Sequence, residues 1–137
     1  MTPRRRARAR PGAPDPRHAR GAAGEALARR HLEAQGFRCL AQDLRTRLGE
    51  IDLLLRRGSL LVGVEVNTRT HHPAPELLVD DERLARYRRV LLALAPTLEP
   101  RPRTLRVDRI AVRLRGAGGI ELLHAPGIPF AAGSPGN

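Results

Sequence analysis

The clearest structural signal in the chain is an alternation of apolar and other residues in its middle part. Residues 50–55 and residues 60–67 both alternate in this way, which is typical of β-strands. Gly58-Ser59 lies between the two runs and suits a two-residue hairpin loop. In the register that this loop favours, one face of the hairpin is wholly apolar, because the facing pairs are Ile51 with Val66, Leu53 with Val64, and Leu55 with Val62.

Helical patterns flank this hairpin in sequence. Residues 21–35 are rich in Ala, Leu, Glu and Arg, and Gly36 is placed to end the predicted helix. A second helix is predicted from residue 80 to residue 95, where acids suit the positive end of the helix dipole. Its buried stripe is predicted to consist of Leu84, Tyr87, Leu91 and Leu94. Further strands are predicted at residues 37–44, 104–114 and 120–124.

The order of these elements predicts the fold class. Helix, three strands, helix, strand and a final short strand indicate an α/β domain, with a central mixed sheet of about four or five strands flanked by helices. We expect one domain at residues 21–125, since single domains commonly contain about 100–150 residues. Residues 1–20 are expected to be a disordered Arg/Pro-rich tail, and residues 126–137 a loose C-terminal tail.

A surplus of positive charge indicates a polyanionic partner. The formal net charge is +11, and all 25 basic residues are arginine. Arginine presents a planar fork that suits phosphate, and excess positive charge attracts nucleic acid at long range. Codon bias would explain the choice of arginine but not the surplus. About half of the surplus lies in residues 1–20, which are either a nucleic-acid arm or a solvated extension without a role.

Composition argues against several other classes of protein. With only Phe37, Tyr87 and Phe130 as aromatic residues, single-strand binding by base stacking is not expected. No apolar stretch reaches the roughly 18–20 residues of a membrane span, and the basic N-terminus has no apolar segment behind it. Cys39 is the single cysteine, so no internal disulfide can form and a cytoplasmic location is expected.

The predicted hairpin also brings two acids together. It places Asp52 across from Glu65, where the two like charges would repel each other. Carboxylates and a few waters make a natural Mg²⁺ site, and the backbone carbonyl of Val66 could add another ligand. The alternative is a solvent-facing polar surface on which nearby arginines relieve the repulsion.

Glu25 is the third acid of interest. Its spacing from Ala28 and Leu32 points it along the buried face of the first helix, and a buried carboxylate needs a partner. That partner is either a metal ion shared with Asp52 and Glu65 or Arg29 in an ordinary pair at i+4. The residues alone favour the pair with Arg29.

Residues 49–69, GEIDLLLRRGSLLVGVEVNTR, resemble the core motif of the YraN-like family of bacterial proteins. Members of that family typically show GEIDL, then a hairpin, then VEVKTR. The resemblance also includes GEALARRHLEAQGF at residues 24–37 and RVDRIAV at residues 106–112, and it covers about residues 21–125. The family is similar to archaeal Holliday-junction resolvases and to the PD-(D/E)xK nucleases. The resemblance therefore implies a restriction-endonuclease-like fold and an endonuclease that uses Mg²⁺ or Mn²⁺.

Under this resemblance, Glu25, Asp52 and Glu65 match the metal ligands of the family. The catalytic lysine of the motif is replaced by Asn67, which can donate a hydrogen bond but carries no charge. Loss of a charged transition-state contact is expected to lower the rate by about 10²-fold or more. Some members of the superfamily work with Glu or Gln at this position, so two functions stay open: an impaired endonuclease and a non-catalytic nucleic-acid-binding or structural module.

Four arginines are candidates for contacts to nucleic acid. Arg69 falls on the same strand face as Asn67, and the second predicted helix carries three more away from its buried stripe: Arg83, Arg86 and Arg89. His71 and His72 are interpreted as histidines of a flexible loop. DNA is the expected nucleic acid, and analogy with the resolvases suggests a homodimer.

Overall fold

The computed structural model of the chain describes residues 16–69 and 80–133. The elements in chain order are α1 (Pro16–Glu33), β1 (Arg38–Thr46), β2 (Gly49–Arg57), β3 (Leu60–Arg69), α2 (Asp81–Leu94), β4 (Thr104–Leu114), β5 (Ile120–Ala125) and β6 (Phe130–Ala131). Within the two described ranges, no helix is both long enough and apolar enough to cross a membrane.

One mixed sheet forms the centre of the domain. Its strand order is β1-β2-β3-β4-β5, and β6 pairs with the beginning of β4. β3 and β4 are parallel and are connected through α2, whereas the other neighbouring strands are antiparallel. A parallel pair needs such a crossover connection, which explains why a helix separates these two strands in the sequence.

Each face of the sheet carries its own apolar cluster under one helix. The cluster on the α1 side consists of Ala28, Leu32, Phe37, Leu53, Leu55, Val62, Val64, Ile110 and Val112. The cluster on the α2 side includes Ile51, Leu54, Leu61, Tyr87, Val90, Leu91, Ala95 and Leu105. β2 and β3 are therefore buried on both faces, as expected for central strands between two helical layers.

The predicted fold class and the predicted order of elements are confirmed. The hairpin register is also confirmed where the ladder runs, since Leu53 pairs with Val64 and Leu55 with Val62. The prediction that Ile51 faces Val66 on the same apolar face as Leu53 and Leu55 is wrong, because Ile51 packs in the cluster on the α2 side and the other two pack on the α1 side. The β2–β3 ladder ends at Leu53, and simple alternation does not continue past that point.

The two predicted tails differ from the structure at their inner ends. α1 begins at Pro16, so residues 16–20 are helical rather than disordered, and residues 1–15 lie outside the described residues. The expectation of a loose chain from Pro126 onward is wrong for residues 126–133, because β6 pairs with β4 and Ala132 is buried. This segment is ordered by backbone pairing, for which its Pro- and Gly-rich sequence gives no signal.

A buried acid joins β4, β5 and the segment that follows β5. The side chain of Asp108 is fully buried and accepts two hydrogen bonds from Arg106, at 2.7 and 2.9 Å. The Gly127 N–H and His124 Nε2 also contact this carboxylate, at 3.1 and 2.7 Å. Burial alone would raise the pKa of Asp108, but the bonds from His124, Arg106 and Gly127 hold it below its usual value.

Candidate functional site

Asp52 lies just beyond the point where β2 and β3 stop pairing. Past Leu53 and Val64, β2 pairs with β1 and β3 pairs with β4. The Val66 N–H, which is thus free of the ladder to β2, donates to Asp52 Oδ2 across 2.8 Å. The Asp52 N–H in turn donates to the hydroxyl oxygen of Tyr87 on α2, across 3.2 Å. The end of the β2–β3 ladder therefore leaves the Val66 N–H to hold the Asp52 carboxylate, while Tyr87 holds the Asp52 backbone.

The surroundings of Asp52 favour its protonated form. Burial raises its pKa most strongly, and the negative charges of Glu65 and Asp43 raise it further. The hydrogen bond from Val66 and the charge of Arg83 act in the opposite direction but do not cancel the rise. A cation near Asp52 would offset the free-energy cost of placing its negative charge close to Glu65 and Asp43.

Glu25 and Asp43 supply two more carboxylates beside Asp52. One carboxylate oxygen from each of the three residues lies within 4.8 Å of the others. Burial raises the pKa of Glu25 to about 7, and the charges of Asp43 and Asp52 contribute to that rise. The spacing and the hard oxygen donors fit Mg²⁺ or Mn²⁺, which prefer carboxylate ligands. We call Glu25, Asp43 and Asp52 the acidic triad.

The close packing of α1 on β3 brings Glu25 to the sheet. A Cβ atom on Gly24 would lie 1.9 Å from the Thr68 hydroxyl oxygen, so only glycine permits this approach. The alternative partner for Glu25 is not used, because Arg29 donates instead to Glu33 and Gln42, at 2.9 and 2.8 Å. The structure thus places Glu25 near Asp52, as the resemblance implies, and not in the surface pair.

Glu65 sits in a different electrostatic environment from the acidic triad. Its side chain is 8% exposed and forms ion pairs with Arg83 of α2 and Arg109 of β4. Arg109 lies beside Glu65 because these two residues are partners in the parallel register of β3 and β4. Among the described residues, the group of acids close enough to share a metal ion does not include Glu65. The arginines here supply counter-charges to Glu65, although its charge still raises the pKa of Asp52.

A cavity of about 380 Å³ joins the two kinds of acid. Asp52 and Glu65 both line it, together with Gly49, Glu50, Arg83, Arg86 and Tyr87. Gly49 has a φ of 146°, and the stem of Arg86 packs so closely on it that a Cβ atom would lie 2.9 Å from Arg86 Cγ. The cavity therefore combines carboxylates from β2 and β3 with two arginines from α2.

The remaining predicted site residues are less closely involved. Asn67 is half-buried on β3, two residues after Glu65 and on the same strand face. Arg89 is exposed on α2 and is not among the residues that line the cavity. The side chain of Arg69 and both His71 and His72 lie outside the described residues. For Val66, the contact to Asp52 comes from its N–H, and the ligand role of its carbonyl oxygen stays a prediction.

Three residues of the site were not found from the sequence: Asp43, Arg109 and Tyr87. Asp43 has a positive φ of 49°, a conformation that Asp tolerates better than most residues, and it follows a register shift in β1. A polar residue at such an irregular position is a usable but weak signal. Arg109 and Tyr87 reach the site only through tertiary packing.

Comparison with known proteins identifies the family. The model of the family described as "Uncharacterised protein family UPF0102" matches residues 24–112. The chain belongs to this family. The resemblance to the YraN-like family is thereby confirmed.

Two relatives illustrate the extent of the match to UPF0102. A UPF0102 protein of Leifsonia xyli subsp. xyli is 40% identical over 110 residues, which are 79% of this chain and 93% of the relative. A UPF0102 protein of a Nocardioides species is 37% identical over 114 residues, 82% of this chain and 92% of the relative. Among solved structures, SfsA of Pyrococcus furiosus in complex with Ca²⁺ aligns with a TM-score of 0.41 and 15% identity. That alignment covers 81% of this chain and 64% of SfsA.

Proposed function

We propose that this UPF0102 protein binds nucleic acid through a nuclease-type site that takes Mg²⁺ or Mn²⁺, and that its phosphodiester cleavage is impaired. The observation that carries this proposal is the acidic triad beside a cavity lined by arginines. Carboxylates that hold a cation and guanidinium groups that hold phosphate are the two components that phosphodiester chemistry needs.

The metal would be held by Glu25, Asp43 and Asp52, and Glu65 is the further candidate on the same cavity. When bound, Mg²⁺ would supply a Lewis acid and lower the pKa of a bound water. The Val66 N–H and the Tyr87 hydroxyl keep Asp52 and its backbone in a fixed position. Preorganised ligands of this kind lose little entropy when the cation binds.

The phosphate of the substrate would be held by Arg83 and Arg86. The Arg83 side chain is 47% exposed and lines the cavity, so it can exchange Glu65 for a phosphate group. Arginine pairs with phosphate through two parallel hydrogen bonds. The remaining net charge of the chain would add a long-range, salt-sensitive attraction.

Asn67 is the reason to expect impaired cleavage. It occupies the position of the motif lysine on the strand face of Glu65, but it cannot supply a positive charge to the transition state. Arg83 and Arg109 lie close to Glu65, yet arginine stays protonated and cannot shuttle a proton. We therefore expect weak or no cleavage at neutral pH.

A second candidate function is a binding module that does not cleave. Its support is the pairing of Glu65 with Arg83 and Arg109, which neutralises this acid without a metal ion. In that case the same cavity recognises phosphate by charge and shape alone. DNA as the nucleic acid, a homodimer and a cytoplasmic location belong to both versions of the proposal.

A cleavage assay with four proteins distinguishes the two candidates. Wild type, Asp52→Ala, Asn67→Lys and the control Glu33→Gln are incubated with branched or linear DNA and with Mg²⁺ or Mn²⁺. For an impaired nuclease, Asn67→Lys gains activity by about 10²-fold, while Asp52→Ala abolishes any cutting by wild type. Glu33 pairs with Arg29 on the exposed side of α1, so Glu33→Gln should behave as wild type.

Other outcomes of this assay have definite meanings. Cutting that survives Asp52→Ala would come from another site or a contaminant and would contradict the proposed centre. If Asn67→Lys gains nothing although metal binds, the binding module is favoured. An affinity for DNA that hardly changes with salt would contradict both versions, since phosphate contacts release counterions.

A further inference from the structure

A second cluster of metal-ligating side chains lies on the α1 side of the sheet and shares no residue with the acidic triad. His31 of α1 and His124 of β5 are both half-buried, and His31 Nε2 lies 3.1 Å from His124 Nδ1. The two rings meet edge to face, with their centroids 5.1 Å apart. This pair is independent of the proposed function.

Asp108 fixes which nitrogen of His124 carries a proton. Its carboxylate takes two hydrogen bonds from the Arg106 guanidinium and one from the Gly127 N–H, so it is held as an acceptor. His124 Nε2, 2.7 Å from Asp108 Oδ2, must therefore donate its proton to this carboxylate. In the neutral ring, His124 Nδ1 then carries a lone pair, and this lone pair faces His31.

His31 Nε2 has two neighbours that make conflicting demands. His124 Nδ1 presents a lone pair and can only accept a hydrogen bond from His31 Nε2. The Gln35 side-chain NH₂, 2.9 Å away, can only donate one to the same nitrogen. A neutral His31 satisfies one neighbour and opposes the other. Turning the Gln35 amide oxygen inward removes this conflict, and a cation between the two imidazoles then suits all three groups, because both ring nitrogens and the amide oxygen can present lone pairs to it.

We propose that His31 Nε2 and His124 Nδ1 bind a divalent transition-metal ion of the Zn²⁺ class, with Asp108 orienting His124 through its other ring nitrogen. In a tetrahedral site, Zn–N distances of about 2.0–2.1 Å put two nitrogens roughly 3.3–3.4 Å apart. The observed distance of 3.1 Å between His31 Nε2 and His124 Nδ1 would have to lengthen only slightly. A carboxylate behind a ligating histidine is the usual second partner in such sites.

The site differs in chemistry from the acidic triad. Imidazole nitrogens select Zn²⁺, Co²⁺, Ni²⁺ or Cu²⁺, whereas the carboxylates of the triad suit Mg²⁺ and Mn²⁺. Among the residues that the structure describes, two imidazole nitrogens meet at this point, so water and the exposed Gln35 amide would complete the coordination. An ion here would link α1 to β5, with a binding strength that allows exchange with solution.

The test is a Zn²⁺ titration of the full-length chain by calorimetry, with excess Mg²⁺ present to saturate the acidic triad. We expect one Zn²⁺ per chain and an affinity lower by about tenfold or more in His31→Ala. The matched control replaces two histidines that the proposal does not use, His71 and His72, both with Ala. This control should bind Zn²⁺ as wild type does.

A second measurement needs no variant and covers the case in which His31→Ala does not fold. Long-range ¹H–¹⁵N NMR of the wild-type histidine rings should show His31 Nε2 and His124 Nδ1 moving to metal-bound shifts on addition of Zn²⁺. Absence of Zn²⁺ binding, equal binding by His31→Ala, or loss of binding in the His71/His72 control would overturn the proposal. The cluster would then be a proton-sharing contact that only fastens α1 to the sheet.

Discussion

Asp108 and the acidic triad show two ways of burying negative charge in one small domain. Asp108 is fully buried but receives hydrogen bonds from Arg106, His124 and Gly127, and its pKa lies below its usual value. Glu25 and Asp52 are less buried, yet their pKa values are raised, by burial first and by the charges of their acidic neighbours in addition. The difference lies in the partners rather than in the depth of burial.

This comparison separates a structural acid from a candidate ligand. A buried carboxylate with counter-charges stabilises the fold, whereas carboxylates crowded together destabilise it until a proton or a cation binds. Residues that cost stability at neutral pH are typical of functional sites. Glu65 stands between the two types, because it has arginine partners but lines the cavity of the triad.

The largest expected effect is on the structural side of this comparison. Asp108→Asn should lower the free energy of unfolding by about 3 kcal/mol or more, because it leaves the Arg106 guanidinium without its buried counter-charge. Denaturant titration measures this loss. Glu33→Gln, which breaks an exposed i,i+4 pair, should cost at most about 0.5 kcal/mol. Equal effects of the two changes would contradict the assigned role of Asp108.

The opposite sign is expected for the triad. In EDTA at pH 8, Glu25→Gln should raise the free energy of unfolding by roughly 1 kcal/mol, because it removes repulsion among partly hydrated carboxylates. The same change should remove the stabilisation that Mg²⁺ or Mn²⁺ gives to wild type. Thermal denaturation with and without metal measures both effects. A destabilised Glu25→Gln would mean that Glu25 is a structural acid like Asp108.

The pH dependence of stability follows from the raised pKa of Glu25. The folded-state pKa of about 7 exceeds the ordinary value of 4.5, so the folded protein holds this proton more tightly than the unfolded chain does. Stability in EDTA should therefore fall as pH rises from about 4.5 to 7 and then level off. Metal binding, which needs the ionised form, should strengthen over the same interval. Glu25→Gln should flatten both trends.

The smallest expected effect concerns Glu65 and its partner. Arg83→Ala should change stability by less than about 1 kcal/mol, because the Arg83 side chain is half-exposed. If Glu65 becomes a further metal ligand once Arg83 is removed, Arg83→Ala should strengthen Mn²⁺ binding a few-fold. It should also reduce the slope of log affinity for DNA against log salt concentration by about one. Arg89→Ala, on the same helix but not lining the cavity, should leave Mn²⁺ binding unchanged. Unchanged Mn²⁺ binding in Arg83→Ala would mean that Glu65, like Asp108, is a structural acid and not a metal ligand.

The sequence predicts those parts of this fold that depend on local pattern. Alternation and the Gly58-Ser59 loop are enough for the register from Leu53 to Leu55, because a slip of one residue would turn the apolar side chains of one strand to the other face of the sheet. The pattern does not predict the position of Ile51, since the ladder to β3 has ended before it and Ile51 pairs with β1. It does not predict the strand Phe130–Ala131 either, because two residues carry no periodicity.

The candidate site was predictable only in part for a related reason. The positions of Glu25 and Asp52 come from the family motif, and the structure brings them together. Asp43 depends on an irregular backbone, and Arg109 depends on the parallel register between β3 and β4, which hydrophobic alternation does not encode. His31 and His124 are 93 residues apart in the sequence, and only the packing of α1 against β5 makes them neighbours.

The central claim is that Glu25, Asp43 and Asp52 hold a divalent cation. The most direct measurement is Mn²⁺ binding to the full-length chain at pH 8, followed by electron paramagnetic resonance, for wild type, Asp52→Asn and the control Glu33→Gln. We predict one bound Mn²⁺ per chain in wild type and in Glu33→Gln, and a loss of at least about tenfold in affinity in Asp52→Asn. Wild-type protein that binds no Mn²⁺, or Asp52→Asn that binds it as tightly as wild type, would contradict the claim.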